Sequence, residues 1–112
     1  VPLAPDGRAF AERVAAASRA MRGDPVLRPF EGQRDDVLFF SCLPWLRFTH
    51  VEHPVDLEGI DCIPRIAWGK LTEQDGRVSC PVNLMAHHGL VDGSHIADFH
   101  RVLEERLATF RL

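Results

Sequence analysis

The chain has 112 residues, of which 46% are hydrophobic and 26% charged, and its formal net charge is -3 at pH 7. This length fits one small domain with a buried core. The acidic balance disfavours nucleic-acid binding, which needs a basic surface, and no apolar run approaches the ~18 residues of a membrane span. We therefore expect a soluble domain that binds neither nucleic acid nor membrane.

The three cysteines, Cys42, Cys62 and Cys80, are widely spaced. They form neither a disulfide framework nor a CxxC metal clamp, and they are typical of small buried side chains in a reducing compartment. No secretory signal is visible, so the sequence predicts a cytoplasmic protein. Because the chain starts with Val1 rather than Met, we also expect processing or cutting.

The first predicted element is a helix from Asp6 to Met21. Its apolar stripe, at helical spacing, consists of Phe10, Val14, Ala17 and Met21. Asp6 is suited to cap the start, and Gly23 is suited to end the helix.

Three strands are predicted next, at Val37–Cys42, Ile63–Leu71 and Arg77–Ala86. Arg47–Val51 is expected to continue the first strand beyond a bend. Asp75-Gly76 is a hairpin-turn signal between the second and third strands. Pro81, inside the third strand, indicates an edge position or a bulge.

The last predicted element is a helix from about Ser94, its expected N-cap, to Phe110. Its predicted buried stripe is Ile96, Phe99, Leu103, Leu107 and Phe110. The element order predicts an α/β (α+β) fold, a two-layer sandwich of helices on a mixed, mostly antiparallel sheet.

The run His87-His88-Gly89-Leu90-Val91-Asp92-Gly93, followed by Ser94-His95, is the strongest functional signal. It lies on the predicted strand-to-helix loop, where scaffolds often present functional groups. Histidine exchanges protons near neutral pH, so this pattern predicts a proton-transfer centre. Successive strand side chains alternate between faces, so only one of the two histidines is expected to act as the base.

This pattern, His87-His88-x-x-x-Asp92-Gly93-x-His95, resembles the active-site signature of chloramphenicol acetyltransferases. The wider clan of CoA-dependent acyltransferases shares the shorter form of the motif. Two upstream segments are also similar to that family: Ser41-x-x-Pro44-Trp45 followed by Phe48-Thr49, and Gly69-Lys70 in the hairpin region. The resemblance is good from Phe39 to about Leu103.

The resemblance implies a CoA-dependent O-acetyltransferase that moves an acetyl group from acetyl-CoA to a hydroxyl of chloramphenicol or a similar small acceptor, as in antibiotic resistance. It implies that His88 is the general base, without an acyl-enzyme, and that Ser41 donates a hydrogen bond to the oxyanion. Asp92, with Gly93, would hold the loop through a pair with an arginine, and Lys70 would lie near CoA. No metal is implied.

The matching part of the family is the second half of proteins about twice as long. We therefore expect residues 1–112 to form a single partial domain, the C-terminal half of a chloramphenicol acetyltransferase-like domain. A fragment, a nicked piece and a shortened relative remain open. The resemblance further implies a homotrimer whose active site is completed at a subunit interface.

Three residues depart from the family pattern, and each concerns the acceptor side of the site. Met85 replaces a glutamine, Ala67 replaces a threonine, and Ser94 replaces an aromatic residue. These changes leave the base and the oxyanion donor in place, and they leave the acceptor open, including an apolar acceptor unlike chloramphenicol.

Other functions stay open at this point. A non-catalytic or regulatory relative would keep the loop without turnover, and a condensation or lipoyl-transfer role is disfavoured by the Ser41-to-Trp45 segment. Zinc binding by His87, His88, His95 and His100 lacks the usual i,i+4 pair and a nearby Cys or Glu ligand. Histidines that are merely packed or solvated are the remaining interpretation.

Overall fold

A computed structural model describes residues 1–23, 25, 36–54 and 61–110. The chain divides into two compact units, one of Val1–Gln33 with Glu104–Leu112 and one of Arg34–Leu103. In chain order the elements are α1 (Gly7–Gly23), β1 (Phe39–Cys42), β2 (Arg65–Trp68), β3 (Thr72–Gln74), β4 (Arg77–Ser79), β5 (Val82–Met85) and α2 (Gly93–Thr109).

Helix α1 confirms the first predicted helix and its cap. The Oδ1 atom of Asp6 accepts a hydrogen bond from the backbone N–H of Ala9 at 2.8 Å, and the helix ends at Gly23. A side-chain oxygen at this position satisfies an N–H that has no partner within the helix. The apolar stripe is present, but no residue of α1 is buried.

Strands β1, β2 and β5 form a three-stranded sheet in the order β1-β2-β5. Strand β2 pairs with β1 in parallel and with β5 antiparallel, so the predicted mixed sheet is confirmed. The four rows across the sheet are Phe39–Arg65–Met85, Phe40–Ile66–Leu84, Ser41–Ala67–Asn83 and Cys42–Trp68–Val82. The side chains of successive rows point to opposite faces of the sheet, so the Phe39 row and the Ser41 row share one face.

The core of the described residues lies on the central strand. Ile66 and Ala67, which point to opposite faces of β2, are the buried apolar side chains of that part of the chain. On one face Phe40 packs edge-on against Trp68, with ring centroids 6.2 Å apart. On the other, the guanidinium of Arg65 lies 5.6 Å from the centre of the Phe39 ring. The sheet thus buries the middle of β2, leaves β1 exposed and half-buries β5.

Strands β3 and β4 form the predicted hairpin. Asp75 and Gly76 at its tip both have positive φ, 52° and 74°, as the two central residues of a type I′ turn require. The third predicted strand, in contrast, is not continuous. It splits into β4 and β5 around Pro81, which has no N–H for a sheet hydrogen bond.

The prediction that Arg47–Val51 continues the first strand is wrong, since these residues form no strand. The chain turns after β1, where the N–H of Leu46 bonds to the carbonyl of Leu43 at 2.9 Å. The second predicted strand is also shorter than expected. Only Arg65–Trp68 joins the three-stranded sheet, and Thr72 begins the hairpin.

The predicted buried stripe of α2 is only partly correct. Ile96, Phe99 and Leu103 are half-buried, whereas Leu107 and Phe110 are 60% and 50% exposed. The helical spacing was therefore a sound guide to the apolar face of α2, but not to whether the described residues cover it. No described helix has the length and apolar character needed to cross a bilayer.

Candidate active site

The His87-His88 pair follows β5 on the loop that leads into α2, as predicted. The carbonyl of His87 accepts hydrogen bonds from the N–H groups of Leu90 and Val91, at 2.9 and 3.3 Å, which close the loop into a tight turn. Both histidine side chains are exposed. The loop is thus ordered by its own backbone, and it leaves both imidazoles accessible.

The two histidines differ in what their rings bind. Nδ1 of His88 lies 3.2 Å from the carbonyl oxygen of Val91, and a carbonyl only accepts, so this nitrogen carries the proton. Nδ1 of His87 instead accepts the N–H of Gly89 at 3.1 Å, so its proton is on Nε2. In the neutral form, His88 therefore has its free lone pair on the exposed Nε2. This is the arrangement a general base requires.

Asp92 holds the end of this loop. Its Oδ1 accepts from the N–H and hydroxyl of Ser94, at 2.8 and 2.6 Å, and from the N–H of His95 at 3.3 Å. The Ser94 hydroxyl contributes most, followed by these backbone N–H groups, and together they lower the pKa of the Asp92 carboxyl from 3.8 to about 2. The predicted N-cap Ser94 is thus wrong, because Asp92 caps α2 and Ser94 donates to it.

Asp92 also contacts His95, whose Nδ1 lies 2.9 Å from Oδ1 and 3.2 Å from the backbone nitrogen of Asp92, which donates to it. Within the described ranges, Ser94 and His95 supply the side-chain partners of the carboxylate, and no arginine does. The expectation of an arginine partner therefore stays a prediction. Gly93, next to Asp92, is the first residue of α2.

Ser41 lies on the outer strand β1, with Ala67 beside it and Asn83 beyond, all on one face of the sheet. The side chain of Ser41 is exposed. Ala67 contributes only a methyl group, so no long side chain of the sheet separates Ser41 from Asn83. Strand spacing puts the Cα atoms of these two residues about 10 Å apart.

Asn83 is a residue that sequence reasoning missed. Its Oδ1 is buried and accepts no hydrogen bond from the described part of the chain. Buried amide oxygens are usually satisfied, so one that faces the same side as Ser41 marks a position suited to a donor from elsewhere. The signal available in the sequence was an amide side chain placed between the apolar residues Val82 and Leu84. In an extended strand this amide lies on the same face as Met85.

Lys70 is fixed by its backbone rather than by its side chain. Its N–H donates to the carbonyl of Leu46 at 2.7 Å, and the N–H of Gly69 donates to the carbonyl of Pro81 at 3.0 Å. Gly69 leaves no room for a side chain, because a Cβ there would lie 2.6 Å from the Leu46 oxygen. The Gly-Lys pair therefore joins the turn after Ser41 to the start of β5, and the Lys70 side chain is exposed.

Ser41 and His88 are not brought together within this chain. Ser41 lies on one outer strand, and His88 lies three residues beyond the end of the other, past the row of Met85. No hydrogen bond connects the two side chains in the described ranges. Those same ranges also contain no cluster of three or more His, Cys, Asp or Glu side chains suited to a metal.

Comparison with known proteins identifies the family. The family model described as chloramphenicol acetyltransferase matches residues 4–104. The chain is 29% identical over 83 residues to a chloramphenicol acetyltransferase of Clostridium butyricum, covering 74% of this chain and 38% of that protein. It is 28% identical over 102 residues to chloramphenicol acetyltransferase 2 of Haemophilus influenzae, covering 89% and 47%.

A solved structure of a chloramphenicol acetyltransferase has the same fold, with a TM-score of 0.77 at 24% identity. The match covers 93% of this chain and 51% of that one, so the chain spans about half the length of this structure and less than half of the two relatives above. The predicted acyltransferase-type fold and its incompleteness are both confirmed. With the family model matching nearly its whole length, the chain belongs to the chloramphenicol acetyltransferase family.

Proposed function

We propose that this chain is part of a CoA-dependent O-acetyltransferase that transfers an acetyl group from acetyl-CoA to a hydroxyl of chloramphenicol or a similar small acceptor. Family membership supports the reaction class. The observation that carries the residue assignment is the hydrogen bond between Nδ1 of His88 and the carbonyl of Val91, which leaves Nε2 able to accept a proton.

In the proposed reaction, Nε2 of His88 removes the proton of the acceptor hydroxyl while that oxygen attacks the thioester carbonyl. The hydroxyl of Ser41 donates a hydrogen bond to the oxyanion that forms. The carbon–sulfur bond then breaks, CoA leaves, and the proton held by His88 passes to the departing sulfur. The ester and free CoA are the products, and no acyl group is attached to the enzyme.

The other predicted residues have supporting roles. Asp92 caps α2 and so holds the loop that carries His88, with Gly93 beginning the helix directly after it. Lys70 is proposed to lie near CoA, where a cation suits its phosphates. The reaction needs no metal.

The active site is proposed to form between subunits of a homotrimer. Ser41 is on the outer strand β1 and His88 is on the loop beyond the end of β5, the other outer strand, so we infer that the two side chains meet where two chains meet. Residues 1–112 would then be the C-terminal half of the domain. We place the enzyme in the cytoplasm, where acetylation of an antibiotic gives resistance.

The direct test is His88→Ala in the intact protein, followed by thiol release from acetyl-CoA in the presence of chloramphenicol. Removal of the base is expected to lower kcat by about 10²–10⁴-fold, with an unchanged circular dichroism spectrum. His87→Ala, the matched control, is expected to keep most of the turnover because its ring has the opposite tautomer. Near-normal turnover of His88→Ala would reject the assignment.

The same assay separates the enzyme from a non-catalytic relative. Thiol release that depends on a hydroxyl-bearing acceptor supports the transferase. Saturable acetyl-CoA binding without thiol release, in the intact protein, would instead support a binding or regulatory role.

A further inference from the structure

The face of the sheet that carries Ser41 also carries an arginine that the proposed reaction does not use. Arg65 and Ala67 are two residues apart on β2, so their side chains point to the same face, and Ala67 lies beside Ser41. Strand geometry puts the Cα atoms of Arg65 and Ser41 about 8 Å apart. A small molecule whose hydroxyl lies at Ser41 can therefore extend over Arg65.

The guanidinium of Arg65 is held by the segment that precedes β2. Its Nη1 donates to Oδ1 of Asp61 at 3.1 Å and to the carbonyl of Ile63 at 3.2 Å, and its Nη2 donates to Oδ2 of Asp61. Oδ1 of Asp61 also accepts the N–H of Ile63 at 3.3 Å, which fixes the carboxylate. The side chains of Arg65 and Asp61 are each only 14% exposed. The guanidinium is therefore positioned before a ligand arrives.

These bonds leave part of the guanidinium available. They account for both N–H groups of Nη1 and one of Nη2, so the N–H of Nε and the second N–H of Nη2 have no acceptor among the described residues. The two remaining N–H groups form a planar fork on one side of the guanidinium, which suits a ligand oxygen. Nε of Arg65 is not one of the fully buried, partnerless polar atoms of the described ranges, so it reaches the surface.

The neighbours of Arg65 across the sheet are apolar. Phe39 and Met85 are in the same row, and the Phe39 ring centre lies 5.6 Å from the guanidinium carbon. These two side chains suit the apolar body of a ligand, and the fork of Arg65 suits an oxygen at its end. Because Asp61 already neutralises Arg65, a second carboxylate would leave a net negative charge in a largely covered site. The site therefore favours a neutral oxygen, such as that of a carbonyl group.

We propose that Arg65, held by Asp61, selects the acceptor of the acetyl group by binding a neutral carbonyl oxygen of that alcohol. This inference rests on the proposed function. The hydroxyl of the acceptor then lies at Ser41 and its carbonyl at Arg65. Its apolar body lies against Phe39 and Met85. The substrate class is thus a small, largely apolar alcohol with a carbonyl group away from the reacting hydroxyl.

The test compares alcohols that share a benzyl alcohol unit and differ only in the para group. They are para-(hydroxymethyl)benzamide with a neutral carbonyl, para-(hydroxymethyl)benzoate with a carboxylate, and para-methylbenzyl alcohol with neither. Thiol release by the intact protein, at saturating acetyl-CoA, gives kcat/KM for each alcohol. The native protein is expected to prefer the benzamide over the methyl compound by roughly 10- to 100-fold, as for a hydrogen bond to a charged group. The benzoate should be a poorer acceptor than the benzamide.

Two variants assign the preference to Arg65. Arg65→Lys keeps a cation beside Asp61 without the fork, and it should reduce the preference for the benzamide to about a few-fold. Arg65→Met alone would remove the cation beside the largely buried Asp61 carboxylate, so it is combined with Asp61→Asn, and the preference should disappear. Both variants should keep the native kcat/KM for para-methylbenzyl alcohol, which a general loss of structure would lower. Arg101→Lys, in an exposed pair with Asp98 on α2, is the matched control and should keep the full preference.

Three results would overturn the proposal. One is equal kcat/KM of the native protein for the benzamide and the methyl compound. Another is a preference for the benzamide that neither variant changes. The third is a preference for the benzoate that the variants remove, because the ligand of Arg65 would then be an anion.

Failure of the proposed function is distinguished by binding without turnover. A native protein that releases no thiol with these alcohols or with chloramphenicol would reject the proposed function. The benzamide and the methyl compound are then titrated into the native protein and into the Arg65→Met, Asp61→Asn double variant, with binding followed by NMR. Tighter binding of the benzamide that the double variant loses would uphold the carbonyl site. Equal binding of both compounds, or none, would reject it.

Discussion

Asp92 and His88 are on the same short loop, but they contribute to it in different ways. His88 offers an exposed nitrogen, whereas Asp92 supplies the hydrogen bonds that keep the loop joined to α2. A base that must lie within hydrogen-bond reach of its substrate depends on such support, since small misplacements of a catalytic group lower the rate strongly. The effect of Asp92 on the chemistry should therefore be indirect, through the conformation of the loop.

The lowered pKa of Asp92 gives a prediction about pH. Because its carboxyl titrates at about 2 in the folded chain rather than at 3.8, its stabilising effect is complete above about pH 4 and is lost as pH falls towards 2. Asp92→Asn keeps an oxygen that caps the helix but removes this titration. Urea unfolding of both proteins between pH 2 and 6 should show a stability difference that shrinks below about pH 4. A constant difference over that range would contradict this role of Asp92.

At the scale of elements, local turn chemistry was the most predictable part of the fold. Asp75-Gly76 forms the expected turn because these residues tolerate positive φ, and Asp6 caps α1 as expected because its carboxylate reaches a free N–H. The candidate loop was predictable for the same reason, since a short motif between a strand and a helix has few ways to fold. All three features depend on residues that are neighbours in sequence.

One error is local, since Asp92 rather than the nearby Ser94 caps α2. The other errors concern distant partners. Arg47–Val51 has a sequence compatible with a strand, but Leu46 bonds to Lys70 outside any regular strand pairing. The amide of Asn83 seemed an ordinary strand residue, and its significance appears only when the register puts it in the row of Ser41. Strand pairing is decided by contacts far apart in sequence, which a pattern of single residues does not contain.

Substitution of Gly69 tests the close packing between the turn after β1 and the start of β5. A methyl group at Gly69 would lie 2.6 Å from the Leu46 oxygen and 2.7 Å from Cγ of Pro81, and Leu46 is held there by its bond to Lys70. Gly69→Ala should therefore lower the free energy of unfolding by about 1–3 kcal/mol, as overpacking does. Gly23→Ala, where no atom lies within 4 Å of the new Cβ, should be close to neutral. Equal stability of both variants in urea denaturation would disprove the proposed close packing.

At the scale of the whole molecule, the described residues leave much apolar surface open. Phe39 and Phe40 on β1 are about half exposed although they point to opposite faces of the sheet, and Trp45 in the following turn is 72% exposed. An outer strand with both faces open and one edge unpaired is prone to association unless other protein covers it. This surface agrees with a chain that spans about half or less of its relatives, and with the proposal that subunits meet there.

Subunit complementation tests the interface site directly. His88→Ala and Ser41→Ala should each be nearly inactive alone, because one lacks the proposed base and the other the proposed oxyanion donor. Loss of such a donor costs about 10²–10³-fold in kcat. In a randomly mixed ring of both chains, about a quarter of the interfaces would combine an intact His88 from one subunit with an intact Ser41 from the next. Co-expression should therefore restore a substantial part of the acetyl transfer.

The matched control co-expresses His88→Ala with a chain that carries both substitutions, which leaves no intact base in any interface and should stay inactive. If each site instead lay within one chain, the mixture of single variants would have no more activity than the sum of its components. That result would reject an active site at the subunit interface. It would not affect the assignment of His88 as the base, which the thiol-release assay of His88→Ala tests separately. Recovery, in contrast, would explain why Ser41 on β1 and His88 beyond the end of β5 are at opposite sides of one sheet, since each would serve a different subunit's reaction.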